Sequence, residues 1–188
     1  MIDPACFAPR IPKPLWIFAY GSLMWQPDFA VAESRLASVH GWRRSFCMWS
    51  IHHRGSVKEP GLVLALDREE GGLCHGVALR VPFGEEEATL ALLRERELVS
   101  SAYFEVNLEL ELAEGERVEA LGYVINRDHV QYARDLGPEA QAAIIAKAKG
   151  GRGKNRDYLY ATVAQLQSLG IEDSDLSRLE QSVRSLVE

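Results

Sequence analysis

The chain has 188 residues, 47% of them hydrophobic, and a formal net charge of −6. That length and apolar content suit one soluble globular domain, residues 1–188, able to bury about 70% of its unfolded surface without staples. The acid excess argues against general nucleic-acid binding. Three widely separated cysteines (Cys6, Cys47 and Cys74) supply neither a disulfide framework nor metal-ligand spacing, which suits a reducing cytoplasm. The first residues carry an acid where a secretion signal carries positive charge, and no apolar run approaches the length of a membrane span, so neither export nor a membrane partner is expected.

In chain order, residues 1–15 carry four prolines and little periodicity and read as an extended arm. Trp16–Ala19 is short, aromatic and β-branched, the composition of a buried strand. Gly21 ends it, and a glycine there is expected to take positive φ and to turn successive backbone N–H groups of Tyr20, Gly21, Ser22 and Leu23 toward a carboxylate or an oxyanion. The same residues equally fit an ordinary strand-ending turn. Residues 25–29 read as a loop anchored by aromatics, and residues 38–50, aromatic-rich and containing Arg43 and Arg44, as a strand packed on one side. After a polar, glycine-containing loop at 52–61, two strands are expected at 62–66 and 74–81, joined by a hairpin-like connection through Gly71 and Gly72.

The period then changes. Three successive acids, Glu85 to Glu87, suit the positive end of a helix that fades near Ser100, with Leu90, Leu93, Arg94 and Glu97 along one side. Residues 103–112 alternate polar and apolar, the mark of a half-buried strand, and residues 117–125 are its expected neighbour. Helices are expected at 138–149, 155–168, and after Asp173-Ser174 to the end. These elements make an α+β fold in which a curved or closed sheet carries inserted and appended helices.

Candidate chemistry centres on Glu97. It ends a helix, lies between Arg96 and apolar Leu98, and precedes Tyr103 by six positions. Partial desolvation would move such a carboxylate toward general-base range; an exposed helix acid paired with Arg94 or Arg96 fits the same residues. His52 and His53 lack a metal-spaced partner, and no metal site is expected. The cluster Lys147, Lys149, Arg152, Lys154 and Arg156 around Gly150, Gly151 and Gly153 fails the phosphate-loop spacing; it reads as a solvated charge run or as a weak attractor of anions. Ser22 lacks the glycine-flanked elbow of a hydrolase nucleophile.

Taken together, several segments resemble the ChaC-like glutathione-specific γ-glutamylcyclotransferases. They are Trp16 to Trp25, Gly41 to Phe46, His53-Arg54-Gly55 with Pro60-Gly61, Gly76 to Ala78 with Arg80-Val81, Arg96-Glu97 with Tyr103, and Gly153 to Leu159. The resemblance runs from about residue 15 over nearly the whole chain. His52, Leu62 and His75 depart from the family pattern, as does the absence of glycine between Glu97 and Tyr103. The resemblance implies a small mixed β-barrel with peripheral and C-terminal helices. It also implies a cofactor-independent, lyase-type reaction converting glutathione to 5-oxoproline and cysteinylglycine. Glu97 would be the general base, with Tyr20, Gly21, Ser22, Leu23, Arg44, Arg54, Tyr103 and Tyr158 binding the small-molecule substrate. A cyclotransferase for other γ-glutamyl compounds, or a non-catalytic regulatory module, is the alternative.

Overall fold

The computed structural model describes residues 9–134 and 136–188. Most of the expected N-terminal arm, including Cys6, lies outside them. The chain divides into two compact units, one comprising the described residues up to Arg44 with Leu66–His129, the other Ser45–Ala65 with Val130–Glu188.

The first unit is built on a closed barrel, in the order β1-β3-β2-β4-β5 with β3 returning to β5. Its strands are β1 (Trp16–Ala19), β2 (Glu33–Ser50), β3 (Gly61–Arg80), β4 (Tyr103–Leu112) and β5 (Arg117–Ile125); the far ends of β2 and β3 continue into the second unit. β1 runs antiparallel to β3, with Ile17 opposite Leu79, and parallel to β5, with Ile17 opposite Leu121. β4 and β5 form an antiparallel hairpin from Tyr103↔Ile125 to Glu111↔Arg117. Closure of this mixed sheet leaves it without the unpaired edges that invite aggregation. Ile17, Phe18, Leu66, Leu110, Leu112 and Leu121 are fully buried. Helix α1 (Glu86–Glu97) joins β3 to β4 and buries Thr89, Leu90 and Leu93.

Two strand expectations change. Residues 61–80 form one strand of 20 residues, without the hairpin expected at 67–72. Gly71 takes φ +72°, which absorbs a local kink. A Cβ on Gly72 would lie only 3.0 Å from the carbonyl oxygen of Trp42 in β2, so the glycine pair lets the strand continue past its neighbour. β2 begins at Glu33, five residues before the expected start at Ser38. Its first turns are secured by Arg35, which bonds Glu114 at 2.6 Å and Glu116 at 2.7 Å beside the β4–β5 turn.

The second unit holds α2 (Pro138–Lys147), α3 (Asn155–Ser168) and α4 (Ser174–Val187), with a two-stranded hairpin of β6 (Lys149–Gly150) and β7 (Gly153–Lys154) between the first two. α2 therefore stops two residues before the expected Lys149. The carbonyl of Ala148 accepts from Asn155 N at 2.9 Å, which takes the chain out of the helix and into the hairpin. Asn155 is fully buried. Its side-chain oxygen accepts from Leu62 N and its amide donates to Leu62 O, both at 2.7 Å. Asp173 caps α4 by accepting from Leu176 N at 3.0 Å, as its position before the helix suggests. Among the described residues, no helix is long and apolar enough to cross a membrane.

Candidate active site

The end of β1 enters the site through a correction. Gly21 has φ −134°, not the positive value expected, and Ser22–Met24 forms a 3-10 turn where an irregular turn was expected. Met24 N bonds Gly21 O at 2.9 Å and Gln26 N bonds Ser22 O at 2.8 Å. The turn itself leaves the N–H groups of Gly21, Ser22 and Leu23 unused, as the start of any helical turn does. Leu23 is buried and anchors the turn. Tyr20 points inward, its hydroxyl donating to the carbonyl of Tyr123 at 2.7 Å. Arg44 donates through Nε to the carbonyl of Tyr20 at 2.6 Å and through a second nitrogen to the carbonyl of His75. Its guanidinium thus holds the exit of β1 against β3.

Glu97 is the last residue of α1, with its side chain 19% exposed. Arg96 brings it to the turn. The Arg96 guanidinium, 12% exposed, meets Glu97 Oε1 at 3.1 Å, donates to Ser22 Oγ at 2.8 Å and Gln26 O at 2.9 Å, and pairs with Asp28 at 2.5 Å. One planar fork therefore fixes the carboxylate relative to Ser22 and the segment behind it. Tyr103 opens β4 six residues beyond Glu97, half-buried and paired with Ile125.

Arg54 and Tyr158 belong to the second unit. The Arg54 guanidinium lies 5.4 Å from the Tyr158 ring centroid and donates to the carbonyl of Arg152 at 2.7 Å. Burial lowers its pKa, opposed by the charges of Tyr158 and Asp157 and assisted by that of Arg152. Tyr158 is buried, edge-on to Phe46 at 5.9 Å. A concavity of about 510 Å³ in this unit is lined by Val163, Leu166, Ile171, Asp173 and Leu176 and includes none of the expected site residues.

Sequence reasoning passed over Arg96 as an organiser, treating it only as a counter-charge, and passed over Glu105 and Tyr123 altogether. Tyr123 donates to Glu105 Oε2 at 2.9 Å, and Arg94 pairs with Glu105 at 2.7 Å rather than with Glu97. No local signal marks Glu105, because it shares an alternating strand with exposed Glu109 and Glu111.

This arrangement joins an arginine-held carboxylate to a turn at the mouth of a strand. The family model for ChaC-like proteins matches residues 15–186, both units together. The chain belongs to that family. Among its relatives, the glutathione-specific γ-glutamylcyclotransferase of Escherichia coli K12 is 38% identical over 174 residues, covering 93% of this chain and 74% of the relative. The human glutathione-specific γ-glutamylcyclotransferase 1 is 36% identical over 166 residues, covering 87% and 75%. In fold, the chain is similar to the crystal structure of the yeast γ-glutamylcyclotransferase specific to glutathione, at a TM-score of 0.83 and 21% identity over 91% of this chain and 96% of that one. The mixed barrel with peripheral helices is thus the fold of ChaC-like proteins.

Proposed function

We propose that this ChaC-like chain degrades glutathione as a γ-glutamylcyclotransferase, working in the cytoplasm as one functional domain. The observation that carries the reading is the Arg96 fork, which holds Glu97 and Ser22 on one guanidinium. The names of the Escherichia coli and human relatives, both glutathione-specific γ-glutamylcyclotransferases, support the substrate class.

The α-amine of the γ-glutamyl group has an ordinary pKa near 8, so much of it is protonated at neutral pH. Glu97 accepts that proton. The amine nitrogen then attacks its own γ-carbonyl, the new C–N bond closes the five-membered ring, and the γ-amide C–N bond breaks. The departing cysteinyl amine takes that proton back from Glu97, and the second proton, shed by the ring nitrogen as it becomes the lactam N–H, passes by way of the Glu97 carboxylate to the released cysteinylglycine amine, which leaves as an ammonium. No water is consumed and no external acceptor is needed. Because nucleophile and carbonyl belong to one molecule, holding the ring-closing conformer is the main task. Backbone N–H groups of Gly21, Ser22 and Leu23 bind the substrate's carboxylate or the oxyanion that develops. Tyr20 and Arg44 fix the strand end from behind. Tyr103 lines the pocket.

The test is direct. Purified protein incubated with glutathione releases 5-oxoproline and cysteinylglycine in equal amounts. Glu97→Gln lowers kcat by about 10²–10⁴, the usual worth of a general base. Near wild-type turnover by that variant overturns the assignment, and turnover of other γ-glutamyl compounds without glutathione overturns the substrate.

A further inference from the structure

The three N–H groups assigned to the substrate belong to consecutive peptides, whose carbonyls are those of Tyr20, Gly21 and Ser22. Two of these carbonyls are held by the turn itself: Gly21 O accepts from Met24 N at 2.9 Å and Ser22 O from Gln26 N at 2.8 Å. The Tyr20–Gly21 peptide precedes those bonds. Its carbonyl accepts from Arg44 Nε at 2.6 Å. Regular pairing of β1 with β3 ends at Ala19↔Val77, beside Gly76, where a Cβ would lie 2.5 Å from Ala19 O. Just past that point Arg44 bonds one carbonyl from each chain segment, Tyr20 and His75. Arg44 belongs to β2, which flanks β3 on the side away from β1, so its side chain crosses β3 to reach the exit of β1. All of these residues lie in the first unit.

The bond to Tyr20 O has two physical consequences. The first is orientation. The peptide is trans, so its C=O and N–H point to opposite sides, and with the carbonyl on Arg44 the Gly21 N–H faces away from the guanidinium. The second is polarisation. A hydrogen bond from an ionised donor is roughly twice as strong as a neutral one, and bonds in series strengthen one another by about 10–30% each. Tyr20 and Gly21 are both buried, where a low dielectric enlarges the effect. A guanidinium on the oxygen draws electron density from the amide nitrogen and leaves the Gly21 proton more positive than that of an unassisted peptide. Positive charge is thereby relayed through a rigid dipole that needs no reorganisation when an anion arrives or develops.

We propose that Arg44 is a positioning residue for the reaction: it acts through the Tyr20–Gly21 peptide, orienting and polarising the Gly21 N–H that meets the substrate's negative charge, and does not itself touch the substrate. The inference rests on the reading of the Gly21–Leu23 turn as the donor to substrate.

Tyr20–Gly21 is the only tyrosine–glycine pair in the sequence. Protein carrying NMR-active isotopes at the tyrosine carbonyl carbon and the glycine nitrogen therefore gives one carbonyl–amide cross-peak, from this peptide alone. In Arg44→Met its carbonyl carbon and amide proton both move upfield, and kcat/KM for glutathione falls roughly 10–100-fold. Added 5-oxoproline, which carries a carboxylate and a lactam carbonyl, moves the wild-type amide proton downfield, and the response shrinks in the variant. A fall in kcat/KM with an unmoved cross-peak places Arg44 on the substrate directly and overturns the proposal. A moved cross-peak with wild-type kcat/KM, or no change in either, overturns it too. If Arg44→Met fails to fold, Arg44→Lys is read in the same way. An ammonium keeps the charge but not the fork, so both quantities change in the same direction by a smaller amount; change in only one, or in neither, overturns the proposal. A wild-type cross-peak that ignores 5-oxoproline overturns the reading of the turn as donor, and the proposal with it. That failure is distinct from one of Arg44 alone, in which the wild-type peak responds to 5-oxoproline and the variants break the link between peak and rate.

Discussion

At the scale of single residues, this site depends on how three arginines are shared out. Arg96 goes to Glu97 and Ser22, Arg94 to Glu105, and Arg44 to two backbone carbonyls. Each guanidinium is used for its planar fork as much as for its charge, which a lysine does not reproduce. Arg96→Gln is therefore expected to lower kcat roughly 10–100-fold, the scale on which small displacements of a catalytic group act. Arg96→Lys is expected to recover little of it, because one ammonium cannot span Ser22, Gln26, Asp28 and Glu97. Steady-state kinetics with glutathione check both; a lysine variant with wild-type kcat would show that charge alone suffices. Glu97 and the Arg96 beside it were legible in the sequence as a motif. The division of labour between Arg94 and Arg96 was not, because both lie in one helical turn of Glu97 and only β4, folded across α1, draws Arg94 away.

Among the elements, α3 shows what a buried polar residue can anchor. Asn155 is 0% exposed and bonds both the N–H and the C=O of Leu62, so the first residue of α3 substitutes for a strand partner at the start of β3. The hairpin before it is equally constrained, since a Cβ on Gly150 would lie 2.6 Å from Gly55 N and from His53 C. Asn155→Ala leaves two buried backbone groups unpaired and is expected to destabilise by about 2–4 kcal/mol. At this chain length that lowers Tm by roughly 5–10 °C. Calorimetry checks it, and a shift under about 2 °C would mean that water replaces the amide. The start of α3 was legible because the hydrophobic period resumes there. The single long β3 was not: a glycine pair amid charged residues is the usual signature of a hairpin, and only the proximity of Trp42 explains why the strand passes through.

The whole molecule carries a pH dependence that one buried phenol sharpens. Tyr123 has its pKa raised above the ordinary value of 10.0, by burial first and then by Glu105. Below pH 10 the hydroxyl is protonated in folded and unfolded chains alike, and it contributes no slope. Above pH 10 the unfolded chain loses this proton while the folded one keeps it. Stability therefore falls as pH rises, by about 1.4 kcal/mol per pH unit from this group. Denaturant unfolding between pH 9 and 11.5 is expected to show a shallower alkaline decline for Tyr123→Phe than for wild type. Identical slopes would mean that the hydroxyl ionises equally in both states. Among the fold-scale features, the three C-terminal helices follow the periodicities of the chain closely.

By itself the sequence determined where period-two and helical segments lie, because each follows from residues close in the chain: β4, β5 and α3 fall on the expected residues. It also determined the family, because the order of several short motifs survives in the linear chain. Tertiary structure alone decided which charges meet. Arg94 reaches Glu105 across 11 residues and Arg96 reaches Ser22 across 74. Barrel closure brings those partners into contact, and no local pattern records a contact made only when the sheet returns on itself.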